Sequence, residues 1–424
     1  MAVGANGMTA GARQGALPEA VARKVDLMFD GIRYTEPLGR AAAHAFPNWY
    51  PYRFAPGEPD PTGKGQAAIP YLIVAEDGTT ARIKGNGASP WFVDGTRETG
   101  YALRHDRGGE AVAVEFVPLP AWMRRATGDG VPMSQTGVSL HCDMAVVNVA
   151  PGCQYFAKDR ADGQSLRCTF CTYGAPDARM GPLGQDLACI EIPDDTYRRM
   201  QETLAAALDE GTIRHIYLVG GSMTDWRAEG ERYLELARRV QEVVQGRVPV
   251  ACGSGALPDE VIARLHREGT VDNLCFNLEV WSKPLFTAVC PGKERFVGYE
   301  RWIAALETAV GLFGRGHVYS AMVAGIELAP EHAMPWRDAA DLAIEGAEDF
   351  CRRGILPIYS LYWPFGGRDH PKGMADLKAY FTRLALAYRN VRRRHGLAIS
   401  DGFMCHRCAY MQIECDMDRA AGPA

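Results

Sequence analysis

From about Ala145 onward the chain alternates short, nearly unbroken apolar runs with stretches of helical periodicity. Ala145–Val149, Ile216–Val219, Val248–Cys252, Asn273–Leu278, His317–Val323 and Ile358–Tyr362 read as strands, because each is brief and apolar on both faces. Between them, Tyr197, Met200, Leu204 and Leu208 share one helical face, as do Tyr233, Leu236, Val240 and Val244. Further helical periods cover Val261–His266, Trp302–Phe313, Leu342–Phe350 and Leu377–Val391, several of them stopped by glycine. Six strand–helix units with strands buried on both faces predict a parallel sheet, either an open doubly wound sheet or a partial (β/α)6 TIM barrel. His317, heading an apolar strand, is expected in the core.

The first ~135 residues have another pattern. A short helical period, Pro18–Phe29, precedes the aromatic stretch Phe46–Phe54 and β-like runs at Pro70–Ala75, Thr80–Lys84, Trp91–Asp94 and Ala111–Phe116. Asp77-Gly78 and Gly108-Gly109 mark turns. These features predict a small α+β domain over residues 1–135, the barrel over 136–395 and a cysteine-rich extension over 396–424.

The net charge of -5 gives no global reason to expect nucleic acid as a partner. The basic run Arg392–His395 ends a helical period and is read as a solvated face suiting the helix dipole. No apolar stretch reaches the ~18 residues of a membrane span, and residues 1–17 have no continuous apolar core, so a cytoplasmic location is expected. In a reducing compartment, clustered cysteines signal metal binding or chemistry more than disulfides. Of twelve cysteines, Cys153, Cys168 and Cys171 form one group and Cys405, Cys408 and Cys415 another. The others, including Cys142 and Cys290, sit among apolar neighbours and read as small buried hydrophobes.

The residues just past each strand carry a second signal. The first strand runs into Pro151-Gly152-Cys153, the second into Gly220-Gly221-Ser222 and the third into Gly253-Ser254-Gly255. The fourth ends in Asn277-Leu278-Glu279, the fifth in Gly325-Ile326-Glu327, and the sixth in Trp363–Gly367. Small, polar and acidic residues thus gather at the carboxyl ends, where such sheets build their sites. Fourteen residues separate Cys153 from Cys168 and two separate Cys168 from Cys171, with Phe170 between the last pair. Three thiolates on a cubane leave one iron open to a small molecule, and Phe170 is placed to shield the cluster from water. A structural zinc knuckle using His141 or Cys142 as fourth ligand is the competing reading.

On these residues the chain resembles the radical S-adenosylmethionine (SAM) superfamily, over roughly Ala145–Arg394. The resemblance implies a 4Fe–4S cluster on Cys153, Cys168 and Cys171 whose open iron chelates SAM and whose electron cleaves it to methionine and a 5′-deoxyadenosyl radical. It implies cofactor contacts from Phe170, from Gly220, Gly221 and Ser222 to the methionyl amino group, and from Ser254. Asn277 and Glu279 would meet ribose and carboxylate, and the backbone of Gly325, Ile326 and Glu327 would support the adenine. The Asn277–Tyr299 stretch is most similar to lipoyl and biotin synthases. The family commonly has three residues between the first two cysteines, so Lys158–Ser165 reads as a polar insertion, which costs little closure entropy; Cys142 is the spare first ligand.

For Cys405, Cys408 and Cys415 the favoured reading is a second, auxiliary Fe–S cluster, with His406 as a weak fourth ligand; a zinc knuckle and free thiols are the alternatives. The expected activity is radical modification of a small molecule, by sulfur insertion or C–C or C–N bond formation, with a reductase, flavodoxin or ferredoxin supplying electrons. A peptide substrate and a non-redox zinc-binding TIM-like protein are the alternatives. No catalytic acid or base is named.

Overall fold

The computed structural model describes residues 16–48, 50–150, 152–157, 166–171, 192–362 and 373–421. The Lys158–Ser165 insertion, Cys189 and the Trp363–Gly367 motif lie outside these residues.

Five strands of the N-terminal part, β1 (Leu72–Ala75), β2 (Thr80–Arg82), β3 (Trp91–Thr96), β4 (Gly100–His105) and β5 (Val112–Phe116), form an antiparallel sheet in the order β2–β1–β5–β4–β3. Four of them fall on the expected runs. The fifth, β4, has a single fully buried apolar residue, Leu103, which left it no strong periodic signal. Helix α1 (Glu19–Asp30) covers β2, and its Val21, Val25 and Met28 join the same continuous core as the larger sheet.

That larger sheet has seven strands: β6 (Val138–His141), β7 (Met144–Val147), β8 (His215–Leu218), β9 (Val250–Ser254), β10 (Asn273–Phe276), β11 (Val318–Ala324) and β12 (Ile355–Leu361). Their order is β12–β11–β10–β9–β8–β7–β6. Strands β7 to β12 run parallel to one another, and β6 pairs antiparallel with β7 through a two-residue turn. Every residue of β9 and β10 is buried, as the apolar runs require of a sheet covered on both faces. Helices α2 (Asp194–Asp209), α3 (Trp226–Val244), α4 (Asp259–Glu268), α5 (Tyr299–Phe313), α6 (Trp336–Arg353) and α7 (Gly373–Arg394) fall at the expected periods. Asp225 caps α3 by accepting from the backbone N–H groups of Arg227 and Ala228. The result is a mixed α/β fold with a curled half-barrel sheet.

His317 is exposed, because β11 begins one residue later and the imidazole stays in the preceding turn. Arg392 is not on a solvated face. It is fully buried and bidentate to Asp418 at 2.6 and 2.7 Å, on helix α8 (Glu414–Ala421). A second buried pair, Lys24 Nζ to Asp416 at 2.6 Å, ties α8 to α1.

Residues 400–414 close the half-barrel in an unusual way. Ser400 and Phe403 sit on Tyr319 near the amino end of β11, with the Phe403 and Tyr319 rings stacked at 3.7 Å. The segment then fills the gap between the sheet's two edge strands. Tyr410 bonds His141 Nδ1 of β6 at 2.9 Å, while Gln412 donates to Ser360 of β12 at 3.0 Å.

Candidate active site

A cavity of about 580 Å³ lies within the half-barrel. Cys153, Cys168, Phe170 and Cys171 line it, and so do Gly220, Gly221, Ser222, Ser254, Asn277 and Glu279. Three strand ends and the cysteine loop therefore converge where the sequence pattern puts them.

The cysteine loop is seated on backbone. A Cβ at Gly221 would stand 1.9 Å from the Gly152 carbonyl oxygen and 2.7 Å from Cys153 Cα, so only glycine lets the two loops touch. Gln154 N–H donates to Ser222 O at 2.8 Å, and its side-chain oxygen accepts from Thr224 N–H at 2.7 Å. Farther along, Thr169 N–H donates to Val289 O and Gly292 N–H to Leu166 O. The loop is thus anchored both to the second strand's end and to the segment beyond the fourth.

Two acidic residues and two bases organise the floor beneath these loops. Glu279 holds a φ of 75°, a left-handed conformation that costs a non-glycine residue about 1–2 kcal/mol. Backbone bonds with Ala321 and Val323 of β11 hold it there, and its carboxylate accepts from Lys293 Nζ at 2.6 Å. Strain sustained by flanking hydrogen bonds is a mark of functional positions. Burial disfavours the Lys293 charge, but Glu279 and the neighbouring thiols Cys168 and Cys290 more than offset this and raise its pKa. Glu229 of α3, wholly buried, accepts from Met223 N–H at 2.8 Å and Gly255 N–H at 3.2 Å, and burial raises its pKa. Arg232, one turn on, donates to Gly221 O at 2.5 Å. Helix α3 thereby braces the glycine loop from behind.

Cys290 is not separable from the other buried cysteines by sequence pattern. A hydrogen bond from Cys290 holds the Cys168 thiol below its ordinary range, aided by the Lys293 charge, while burial opposes it. Burial pushes Cys153 up to about 11. The one sequence cue to Cys290 is its place just before Pro291-Gly292-Lys293, downstream of the Asn277–Glu279 strand end.

Other expected residues fall elsewhere. Gly325, Ile326 and Glu327 are buried and do not line the cavity. The Glu327 carboxylate folds back to accept from Gly325 N–H at 3.2 Å, and Leu377 of α7 packs over the turn. Cys415 also stands away from the cavity lining, its Sγ facing Met404 O at 3.6 Å. The structure groups Cys405 and Cys408 with Asp143 and His215 instead.

These contacts set two expected outcomes. Lys293→Met leaves the Glu279 carboxylate nearly buried and unpaired, so unfolding in urea should show a loss of about 3 kcal/mol, largely recovered by adding Glu279→Gln. Burial raises Glu327 to about 7 from its ordinary 4.5. A raised carboxyl pKa favours folding when protonated, so its contribution is full below about 4.5 and is lost as pH climbs through 7. Glu327→Gln should therefore flatten the fall in stability over that window by about 3 kcal/mol, read from urea midpoints at pH 4.5 and 7.5.

No family model matches the chain. Over 307 residues it is 23% identical to a bacteriochlorophyllide c C-7(1)-hydroxylase of Chlorobaculum limnaeum, spanning 70% of this chain and 69% of that protein. Among solved structures, a radical SAM methyltransferase from Sphaerobacter thermophilus aligns with a TM-score of 0.37 and 15% identity, over 74% of this chain and 77% of that one. The cysteine loop at the carboxyl edge of a half-barrel sheet and this sequence kinship support the resemblance to the radical SAM superfamily. The chain is an enzyme, and the resemblance implies a 4Fe–4S cluster, SAM and a reductant. Among the described residues no helix is long and apolar enough to cross a membrane.

Proposed function

We propose that Cys153, Cys168 and Cys171 hold the 4Fe–4S cluster and that the cavity behind them receives SAM and a small, largely apolar substrate. The observation that carries this is the convergence of three thiols and the glycine loop at one face of a single cavity. The donor set fits: three thiolates satisfy three irons and leave the fourth for a bidentate small molecule. When bound, the cluster supplies the electron that reductively cleaves SAM to methionine and a 5′-deoxyadenosyl radical.

The chain's own residues position and shield. The Gly220-Gly221-Ser222 backbone offers polar groups beside the thiols, and Asn277 and Glu279 offer polar contacts to a nucleoside from the fourth strand's end. Lys293 fixes the Glu279 carboxylate and also donates to Asn277 O, so the two acceptors keep one geometry. Phe170, Met144, Val146, Phe403 and Met411 give the cavity apolar walls that exclude water from a radical reaction. The kinship with a hydroxylase adds hydroxylation to sulfur insertion and C–C or C–N bond formation as candidate outcomes. A second cluster on Cys405, Cys408 and Cys415 is not required by this reading.

Anaerobically reconstituted protein should be brown, and with SAM and dithionite it should release 5′-deoxyadenosine, read by liquid chromatography and mass spectrometry. Colourless protein whose cysteine loop holds stoichiometric zinc would overturn the proposal.

A further inference from the structure

The described residues place four potential metal ligands together at the opposite end of the sheet from the cysteine loop. Asp143 lies in the turn between β6 and β7, His215 opens β8 in register with Met144, and Cys405 and Cys408 come from the closing segment. Their ligand atoms all lie within 4.8 Å of one another. Cys405 Sγ is 3.3 Å from Asp143 Oδ1, which is 3.9 Å from His215 Nε2. We infer that Asp143, His215, Cys405 and Cys408 form a mononuclear, closed zinc site that pins the closing segment to the amino ends of β7 and β8.

The imidazole gives the independent support. His215 is 1% exposed, its Nδ1 lies 3.1 Å from the Asp401 carbonyl, and its Nε2 is aimed at the Cys405 thiol and the Asp143 carboxylate without a well-formed hydrogen bond to either. A carbonyl acceptor at Nδ1 puts the proton there and leaves the Nε2 lone pair free, the arrangement that orients histidine toward a metal. A buried ring nitrogen left bare costs free energy, and a cation at the centre of the group removes that cost. Spacing selects one ion over a cluster. Tetrahedral zinc with bonds of about 2.0–2.3 Å holds its ligands about 3.3–3.8 Å apart, whereas a cubane spreads its thiolates over separate irons.

Ligand chemistry and charge agree. Two thiolates, an imidazole and a carboxylate suit tetrahedral zinc, and with all four places filled by protein the site is structural. Two thiolates and a carboxylate carry three negative charges against the ion's two positive ones. Arg407 Nε, 3.6 Å from the Asp143 carboxylate, and Arg214 Nε, at 4.0 Å, offset the remainder. Cys405 N–H also donates to Cys408 Sγ at 3.2 Å, a bond that favours thiolate.

The test uses the full chain carrying Cys153→Ala, Cys168→Ala and Cys171→Ala together, so that its result does not depend on the radical chemistry. Grown with zinc, this variant is expected to hold about one zinc per chain and no iron by elemental analysis. X-ray absorption should show two sulfurs near ~2.3 Å and two lighter ligands near ~2.0–2.1 Å. Adding His215→Ala or Cys408→Ala should remove at least nine-tenths of the zinc, whereas adding Cys415→Ala should retain it. Where a ligand variant fails to fold, the wild-type chain grown with cobalt should show tetrahedral thiolate bands in the visible. An Fe–S chromophore in the triple variant, zinc lost with Cys415→Ala, zinc kept in both ligand variants, or neither zinc nor cobalt bound would each overturn the inference.

Discussion

Replacing Cys168 by alanine should reduce 5′-deoxyadenosine formation to below about a thousandth of the wild-type rate, with the iron bound at the cysteine loop largely lost. A rate factor of that size corresponds to about 4 kcal/mol of transition-state free energy. A cluster deprived of one of three thiolates has two irons without protein ligands, and the SAM site is lost with it. Cys168 is buried and takes its hydrogen bond from Cys290, so the second variant, Cys290→Ala, is the informative control. It removes a hydrogen bond to a proposed ligand sulfur and not a proposed ligand. Cys290→Ala should keep most of the iron and shift the cluster's reduction potential, since hydrogen bonds to sulfur tune that potential. Iron counts, circular dichroism and a redox titration on both variants check the pair. Equal iron loss in the two would mean that Cys290 is itself a ligand.

Gly221→Ala is the second large effect, and it comes from one methyl group. That methyl would press on the Gly152 carbonyl oxygen at 1.9 Å and on Cys153 Cα at 2.7 Å, and backbone yields where a flexible side chain would simply rotate away. Overpacking of this kind costs about 1–3 kcal/mol. It also displaces Cys153, the first of the proposed cluster cysteines, from the other two. Iron incorporation should fall to less than about a tenth of the wild type while far-ultraviolet circular dichroism stays unchanged. Gly311→Ala, on the exposed side of α5 with open space around the added carbon, should leave iron content intact.

The alternation of apolar runs and helical periods made the half-barrel legible, because strands buried on both faces cannot be mistaken for surface helices over six repeats. The strand ends were legible for a related reason. Glycines and acids at Gly220–Ser222, Gly253–Gly255 and Asn277–Glu279 interrupt apolar runs where a core would not tolerate them. Residues that act across long sequence distances were hidden. Glu229, Arg232 and Lys293 look like ordinary helix-surface charges until α3 and the segment after β10 pack inward. Asp143 and His215 are separated from Cys405 by 262 and 190 residues, so the C-terminal cysteines invited a local partner in Cys415 that the grouping does not include. Strand β6 was missed because four residues of weak alternation carry little signal. The Gly325–Glu327 turn matches a motif by position, yet it is buried off the cavity lining, with the Glu327 carboxylate on Gly325 N–H and Leu377 of α7 over the turn.

The manner in which residues 400–414 shut the half-barrel has a kinetic meaning. A complete barrel is sealed by a hydrogen-bonded ladder, and parting two strands exposes a row of backbone groups at once. Here the two free margins of the sheet are bridged by individual side chains, Tyr410 on one and Gln412 on the other. Parting this segment from the sheet would break, besides these, the Lys24 bond to Ala409 O and the Arg82 N–H bond to Tyr410 O, and would strip Phe403, Tyr410 and Ile413 from the core. The wall facing the thiol-bearing loop is therefore held by the N-terminal elements as well as by the sheet, and it yields only when several distant contacts are lost together.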